Sequence, residues 1–141
     1  MRALLILAAA SSLGAVAWAQ SGHPVSAGVY TTAQAARGAT AYAQHCAGCH
    51  GAGMEGVDVA PPLAGGRFLA NWTNQPLGAL FTKIKTTMPQ DDPGSLGGAQ
   101  TADIVAAMLQ ANGFAPGKDD LPADADQLQQ VTIDAPKPVR H

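Results

Sequence analysis

Both cysteines of this 141-residue chain lie in one short segment, CAGCH, at residues 46–50. Their spacing suits three kinds of site: a redox-active dithiol, half of a zinc site, or an anchor for a larger prosthetic group. A redox dithiol opens a helix after a strand in an α/β fold, whereas these cysteines close an alanine-rich helical segment. A structural zinc ion needs four ligands, and outside the segment the chain offers only three histidines and no cysteine.

The third hypothesis uses every residue of the segment, because C-x-x-C-H is the attachment signature of c-type haem. The two thiols add to the vinyl groups of the haem, and the histidine that follows them becomes an axial ligand of the iron. Aromatic residues make up only 5% of the chain, which indicates a thin core unless another large apolar body fills it. The sequence therefore predicts one haem c attached through Cys46 and Cys49, with His50 as an iron ligand.

The first nineteen residues have the organisation of a signal peptide. Arg2 supplies a positive charge, an apolar run follows, and Ala17-Trp18-Ala19 has the small-x-small pattern of a cleavage site. An uncleaved membrane anchor is the alternative, but the apolar run is short and rich in small residues. We expect export to the periplasm and no membrane span after cleavage. The formal net charge of −2 argues against nucleic-acid binding, which takes a clustered basic surface.

Apolar residues at helical spacing predict three main helices. They cover residues 31–46, 77–88 and 101–113. Thr31 or Thr32 is the expected N-cap of the first and Thr101 that of the third. The glycine- and proline-rich residues 51–70 are too broken for long regular structure, and no segment has a strand pattern.

The chain accordingly divides into four parts. They are a signal peptide (1–19), a flexible leader (20–30), a helical domain (31–114) and an extended proline-rich tail (115–141). The tail has one expected helical turn, near residues 125–130.

Beyond the CAGCH segment, the chain resembles the single-haem class I cytochromes c from about Thr32 to Gly113. Gly38 and Tyr42 match the positions where the first helix of that family crosses its last helix. The segments MPQDDPGSL (88–96) and ADIVAAMLQANGF (102–114) are most similar to cytochromes that serve periplasmic quinoprotein (pyrroloquinoline quinone) alcohol dehydrogenases. The resemblance implies an all-α cytochrome c fold, in which three main helices and loops wrap round one covalent haem.

One position departs from the resembling group. Its last helix tends to carry an aromatic residue that faces the helix crossing, where this chain has Ala107. Either Tyr42 and Met108 fill the space, or the two helices cross more closely.

The second axial ligand decides between an electron carrier and a haem enzyme, because iron with an open position binds oxygen, peroxide or small ligands. Met88 follows the second helix, precedes Pro89, and agrees with the family's pattern of a distal methionine in such a loop. Core packing is its alternative role. Met54 lies too close after His50 to reach the other face of the haem, and Met108 falls in the apolar stripe of the last helix. We therefore favour Met88.

The resemblance also implies an outer shell. In the family, the proximal histidine donates to a proline carbonyl in the loop after the signature, and a leucine packs on the porphyrin. Pro61 and Leu63 match these positions. Arg67, Trp72 and Thr86 are comparable to an arginine, a tryptophan and a threonine that hold the haem propionates.

These predictions describe a periplasmic electron carrier that cycles one haem between Fe(II) and Fe(III), and not an enzyme. The resemblance implies a dehydrogenase as electron donor and a terminal oxidase or another cytochrome as acceptor. Lys83 and Lys85 are either a positive collar for docking or simply the solvent-exposed face of a helix. One alternative is a permanent haem subunit of a periplasmic dehydrogenase, docked through the tail. The other, if Met88 is not a ligand, is a five-coordinate haem sensor or enzyme.

Overall fold

A computed structural model of the chain describes residues 22–137. The predicted signal peptide, residues 20 and 21 of the leader, and residues 138–141 lie outside this part. The elements are, in order, β1 (His23–Pro24), a 3₁₀ turn (Val25–Ala27), α1 (Thr32–His45), α2 (Ala47–His50), α3 (Gly66–Trp72), α4 (Leu77–Thr87), α5 (Gly98–Ala111), α6 (Ala125–Leu128) and β2 (Val131–Thr132). The helical class predicted from the sequence is confirmed. Within residues 22–137, every helix is too short or too polar to cross a membrane.

The central packing of the fold is the crossing of α1 over α5. Thr31 caps α1, since its Oγ1 accepts a hydrogen bond of 3.0 Å from the backbone N–H of Gln34. At the crossing, a Cβ on Gly38 would overlap the backbone carbonyl of Asp103 and lie 3.0 Å from the Cβ of Ala107. The small residues Gly38 and Ala107 therefore allow the two helices to pack in close contact at this point.

The two predicted helices after the haem segment differ in how well their bounds agree with the structure. α4 begins at Leu77, directly after its N-cap Pro76, and ends at Thr87, one residue before the predicted end. α5 begins at Gly98, three residues before the expected cap. Thr101 is not a cap, because its side chain is fully buried and its hydroxyl donates to the carbonyl of Gly97 at 3.0 Å.

The leader and the tail pack on the domain, which differs from the flexible leader and extended tail expected for them. β1 pairs in parallel with β2, so the two ends of the described chain are joined. Val25, Leu128 and Ile133 are fully buried. α6, which lies within the expected helical turn, sits so close to α4 that a Cβ on Gly78 would come within 2.6 Å of the carbonyl of Ala125. These segments are irregular, so their apolar residues have no period that sequence inspection detects.

Polar contacts also tie the tail to α1. The side chain of Gln34 donates to the carbonyl of Leu121 at 3.1 Å and accepts from its N–H at 2.7 Å. Asp120 accepts from the hydroxyl of Thr31 and pairs with Arg37 at 2.7 Å. The hydrogen bonds from Thr31 and Arg37 hold the pKa of Asp120 below its usual value.

Candidate functional site

A cavity of about 950 Å³ lies beside the CAGCH segment. Its walls come from the end of α1, α2, the loop at residues 59–63, α3, α4, the loop after α4, and α5. The volume is at the upper end of the range of about 300–1,000 Å³ typical of ligand pockets. Much of the lining is apolar, including Phe68, Leu80, Ile84 and Ile104. The cavity therefore suits a large and mainly apolar ligand.

Both cysteines line this cavity as free thiols. Cys46 lies at the break between α1 and α2 and is half-buried, whereas Cys49 is exposed. Burial raises the pKa of the Cys46 thiol, and the charge of Cys49 adds to the rise. A redox dithiol works through a lowered thiol pKa, and the pKa of Cys46 is shifted in the opposite direction.

His50 ends α2 and lines the cavity with only 7% of its surface exposed. Its Nδ1 lies 2.8 Å from the carbonyl oxygen of Pro61, the acceptor expected from the sequence. A carbonyl only accepts, so Nδ1 carries the proton and the lone pair of the neutral ring is on Nε2. Metal-binding histidines are commonly oriented by such a bond. His50 therefore offers Nε2 as a donor atom toward a metal.

Asn112, at the end of α5, holds the loop that follows His50. It is 6% exposed, and its Oδ1 accepts from the N–H of Gly65 at 3.0 Å. Its Nδ2 donates to the carbonyls of Leu63 at 3.0 Å and Met108 at 2.8 Å. This side chain thus fastens the cavity-lining Leu63 to α5. Asn112 was not among the residues expected from the sequence. Its position just before Gly113, the glycine expected to end the third helix, is the one sequence feature that could have indicated it.

The methionines differ in how they meet the cavity. Met54 is buried outside the lining, whereas Met88 and Met108 line it. Met88 is half-buried and Met108 is fully buried. A side chain that reaches into an open cavity keeps accessible surface there, so Met108 only backs the wall. Of the methionines within residues 22–137, Met88 is the one that lines the cavity and keeps accessible surface.

The outer-shell residues expected from the resemblance are placed unequally. Leu63 and Trp72 line the cavity, but Arg67 and Thr86 do not. Thr86 is exposed, and its hydroxyl donates to the carbonyl of Thr82 at 2.8 Å. The roles of Arg67 and Thr86 stay predictions. The lining also has polar side chains that were not part of the expected outer shell, including Asn71, Gln75, Lys83, Gln90 and Asp91. Positions carried over by analogy do not specify which face of a helix meets the cavity, and this explains the difference.

The donor set as a whole fits haem c. Two free thiols, an imidazole with an available Nε2 and a thioether line one large, mainly apolar cavity. Histidine and methionine are established axial donors to haem iron. Within the part of the chain that the structure describes, no three His, Cys, Asp or Glu side chains group together as a metal site made of protein alone.

The chain is similar to known proteins in sequence and in structure. A family model described as "Cytochrome C oxidase, cbb3-type, subunit III" matches residues 33–108, more than half of the chain. Among solved structures, the chain is similar to a chain of the sulfane dehydrogenase SoxCD from Paracoccus pantotrophus. That similarity has a TM-score of 0.52 and 25% sequence identity, and it covers 93% of this chain and 68% of that chain. A search of curated protein sequences gives no match.

These matches confirm the cytochrome c fold and the resemblance to dehydrogenase-associated cytochromes expected from the sequence. The cofactor is one covalently bound haem c, and the type of function is electron transfer. Cys46 and Cys49 are the only thiols of the chain. The chain belongs to the cytochrome c family that is represented by subunit III of cbb3-type cytochrome c oxidase.

Proposed function

We propose that this protein is a periplasmic electron carrier whose haem iron is held by His50 and Met88, and that it accepts electrons from a dehydrogenase. One observation carries the proposal. A histidine oriented by a carbonyl 2.8 Å away and a partly exposed methionine line the same cavity. With both donors engaged, the iron has no open position for oxygen or peroxide, which favours electron transfer over enzymatic chemistry.

A haem bound in this cavity supplies one-electron exchange at its iron. Cys46 and Cys49 would hold it through thioether bonds. His50 would supply its Nε2, since Nδ1 is engaged by Pro61. Met88 would supply a soft thioether, which stabilises the reduced iron relative to the oxidised iron.

The residues that line the cavity differ in exposure, which suits a haem that is shielded from water in one part and accessible in another. Leu80 and Ile84 are buried on the lining, whereas Cys49 and Val59 are exposed on it. Val59 is 98% exposed and Val57 is 48% exposed, in the loop between α2 and α3. Exposed apolar side chains beside a redox site suit a small and transient interface. Electrons would enter and leave on this side.

The choice of a dehydrogenase as donor has two supports. The segments at 88–96 and 102–114 resemble cytochromes that serve quinoprotein alcohol dehydrogenases, and the similar solved structure is described as a sulfane dehydrogenase. A terminal oxidase or another cytochrome would be the acceptor. Periplasmic location is supported by the signal-like organisation of residues 1–19.

A permanent haem subunit of a dehydrogenase is the second candidate, favoured by the similarity to a chain of SoxCD. The hypothesis that the tail is a docking arm has less support. Leu121, Leu128 and Ile133 are all buried within the chain's own core, so the described part of the tail, residues 115–137, has few apolar side chains left for a partner. Size-exclusion chromatography of extract from the native host separates the two candidates. A carrier elutes at the size of the monomer, and a subunit co-elutes with a dehydrogenase.

Visible spectra of the purified holoprotein test the axial ligands. We expect the oxidised wild-type protein to show the weak far-red sulfur-to-iron charge-transfer band, and the reduced protein not to bind carbon monoxide readily. Met88→Ala should lose the band and bind carbon monoxide. Met108→Ala is the matched control, because Met108 lines the same cavity without accessible surface, and it should keep the band. A wild-type protein that lacks the band and binds carbon monoxide readily would contradict the proposal.

A further inference from the structure

We propose that the ammonium group of Lys83 pairs with a propionate carboxylate of the haem and raises the midpoint potential of the iron. The proposal rests on the proposed function, because it takes the cavity to hold a haem. It adds a residue that the resemblance did not imply, since Arg67, Trp72 and Thr86 were the residues expected to hold the propionates.

The distribution of positive charge carries this inference. Of the Lys and Arg side chains within residues 22–137, Lys83 alone lines the cavity. Arg37 is engaged by Asp103 and Asp120, and Arg67 lies outside the lining. A haem brings carboxylates to the cavity, and partly buried carboxylates are stabilised by charged hydrogen-bond donors. Lys83 is the cation placed to provide one.

The local structure suits this role. Lys83 lies on α4, one turn after Ala79 and Leu80, which line the same cavity. Its residue is exposed overall, so its stem can run along the apolar wall while the ammonium group stays at the opening. Asp91 also lines the cavity, but its carboxylate would repel a propionate. Within residues 22–137, no other lysine or arginine lies on the lining.

Neutral hydrogen-bond donors also line the cavity. Asn71, Trp72 and Gln75 line the cavity from the segment just before α4. The tail holds this segment, because the N–H of Ile133 donates to the carbonyl of Gln75 at 2.9 Å and its carbonyl accepts from the N–H of Asn74 at 2.7 Å. The neutral amide and indole N–H groups of this segment can donate hydrogen bonds to the second propionate. Lys83 then remains the charged partner of the first.

Paired variants of α4 test the proposal on the holoprotein. Lys83→Gln and Lys85→Gln remove the same charge from the same helix, but Lys85 is outside the cavity lining. We expect Lys83→Gln to lower the midpoint potential, because a positive charge beside the cofactor disfavours the oxidised iron. It should also shift the propionate carboxylate bands in the redox-difference infrared spectrum. Lys85→Gln should leave the bands unchanged and the potential close to that of the wild type, and Lys83→Arg should preserve both wild-type properties.

Equal potential shifts in Lys83→Gln and Lys85→Gln, with unchanged carboxylate bands in both, would overturn the proposal. Lys83 would then be a surface charge that does not pair with a propionate. That result differs from failure of the proposed function, which is seen in the wild-type protein alone as a missing far-red band. The variants must keep that band, which shows that the iron ligands are intact.

Discussion

Gly38→Ala adds a single carbon atom and should nevertheless lower the free energy of unfolding. The new Cβ would overlap the backbone carbonyl of Asp103 and press on the Cβ of Ala107. A carbonyl inside a helix cannot turn aside alone, so α1 and α5 must move apart along their crossing. Overpacking costs about 1–3 kcal/mol, and a clash with backbone lies near the upper end. Alanine regains about 1 kcal/mol of helix propensity over glycine. The expected net loss in the free energy of unfolding is therefore about 2 kcal/mol.

Urea unfolding of the holoprotein, followed by far-ultraviolet circular dichroism, measures this loss. Gly66→Ala is the control, because Gly66 also lies in a helix but a Cβ there would meet nothing within 4 Å. We expect the control to be as stable as the wild type or more stable by up to about 1 kcal/mol. If Gly38→Ala were as stable as Gly66→Ala, the close crossing of α1 and α5 would be refuted.

Three further predictions concern the loop, the tail and acid stability. Asn112→Ala should lower the free energy of unfolding, measured in urea, by about 2–3 kcal/mol, because the N–H of Gly65 and the carbonyl of Leu63 lose their hydrogen-bond partner. An unchanged free energy of unfolding would contradict the role of Asn112 in holding the loop. Leu128→Ala should lower the same free energy by about 2–5 kcal/mol, since Leu128 is fully buried, whereas a tail free of the domain would show no change. The lowered pKa of Asp120 means that its ionised form stabilises the fold above the ordinary carboxyl value of 3.8, and that this stabilisation is lost as the pH falls through the lowered value. The difference in melting temperature between wild type and Asp120→Asn should therefore be present at neutral pH and disappear in acid, and a difference independent of pH would contradict the pairing with Arg37.

The parts of the fold that the sequence predicts well are those with a local cause. α1 and α4 have amphipathic periodicity and a capping threonine or a proline at their starts. The haem segment is a short motif whose chemistry depends only on the spacing of its residues. In the sequence, Ala107 left two packing arrangements open, and the close contact of Gly38 with Asp103 and Ala107 is seen only in the structure.

The parts that the sequence does not predict depend on contacts between distant segments. The packing of the tail comes from β1 with β2 and from buried residues such as Leu128, none of which follows a period. The roles of Asn112 and Lys83 cannot be predicted from the sequence. They depend on how the fold places the loop after His50 and one face of α4 around the same cavity. The prediction that Thr101 caps α5 is wrong, because Thr101 has the residue type of a cap but lies one turn inside the helix.

The central claim is that Met88 is the sulfur donor to the haem iron, and methyl NMR of the reduced protein tests it most directly. With methionine labelled at the methyl carbon, a methyl group held over the haem moves far upfield in the ring current. We predict one such resonance, which is absent in Met88→Ala and present in Met108→Ala and Met54→Ala. A resonance that persists in Met88→Ala, or a wild-type protein with no upfield methyl, would contradict the claim.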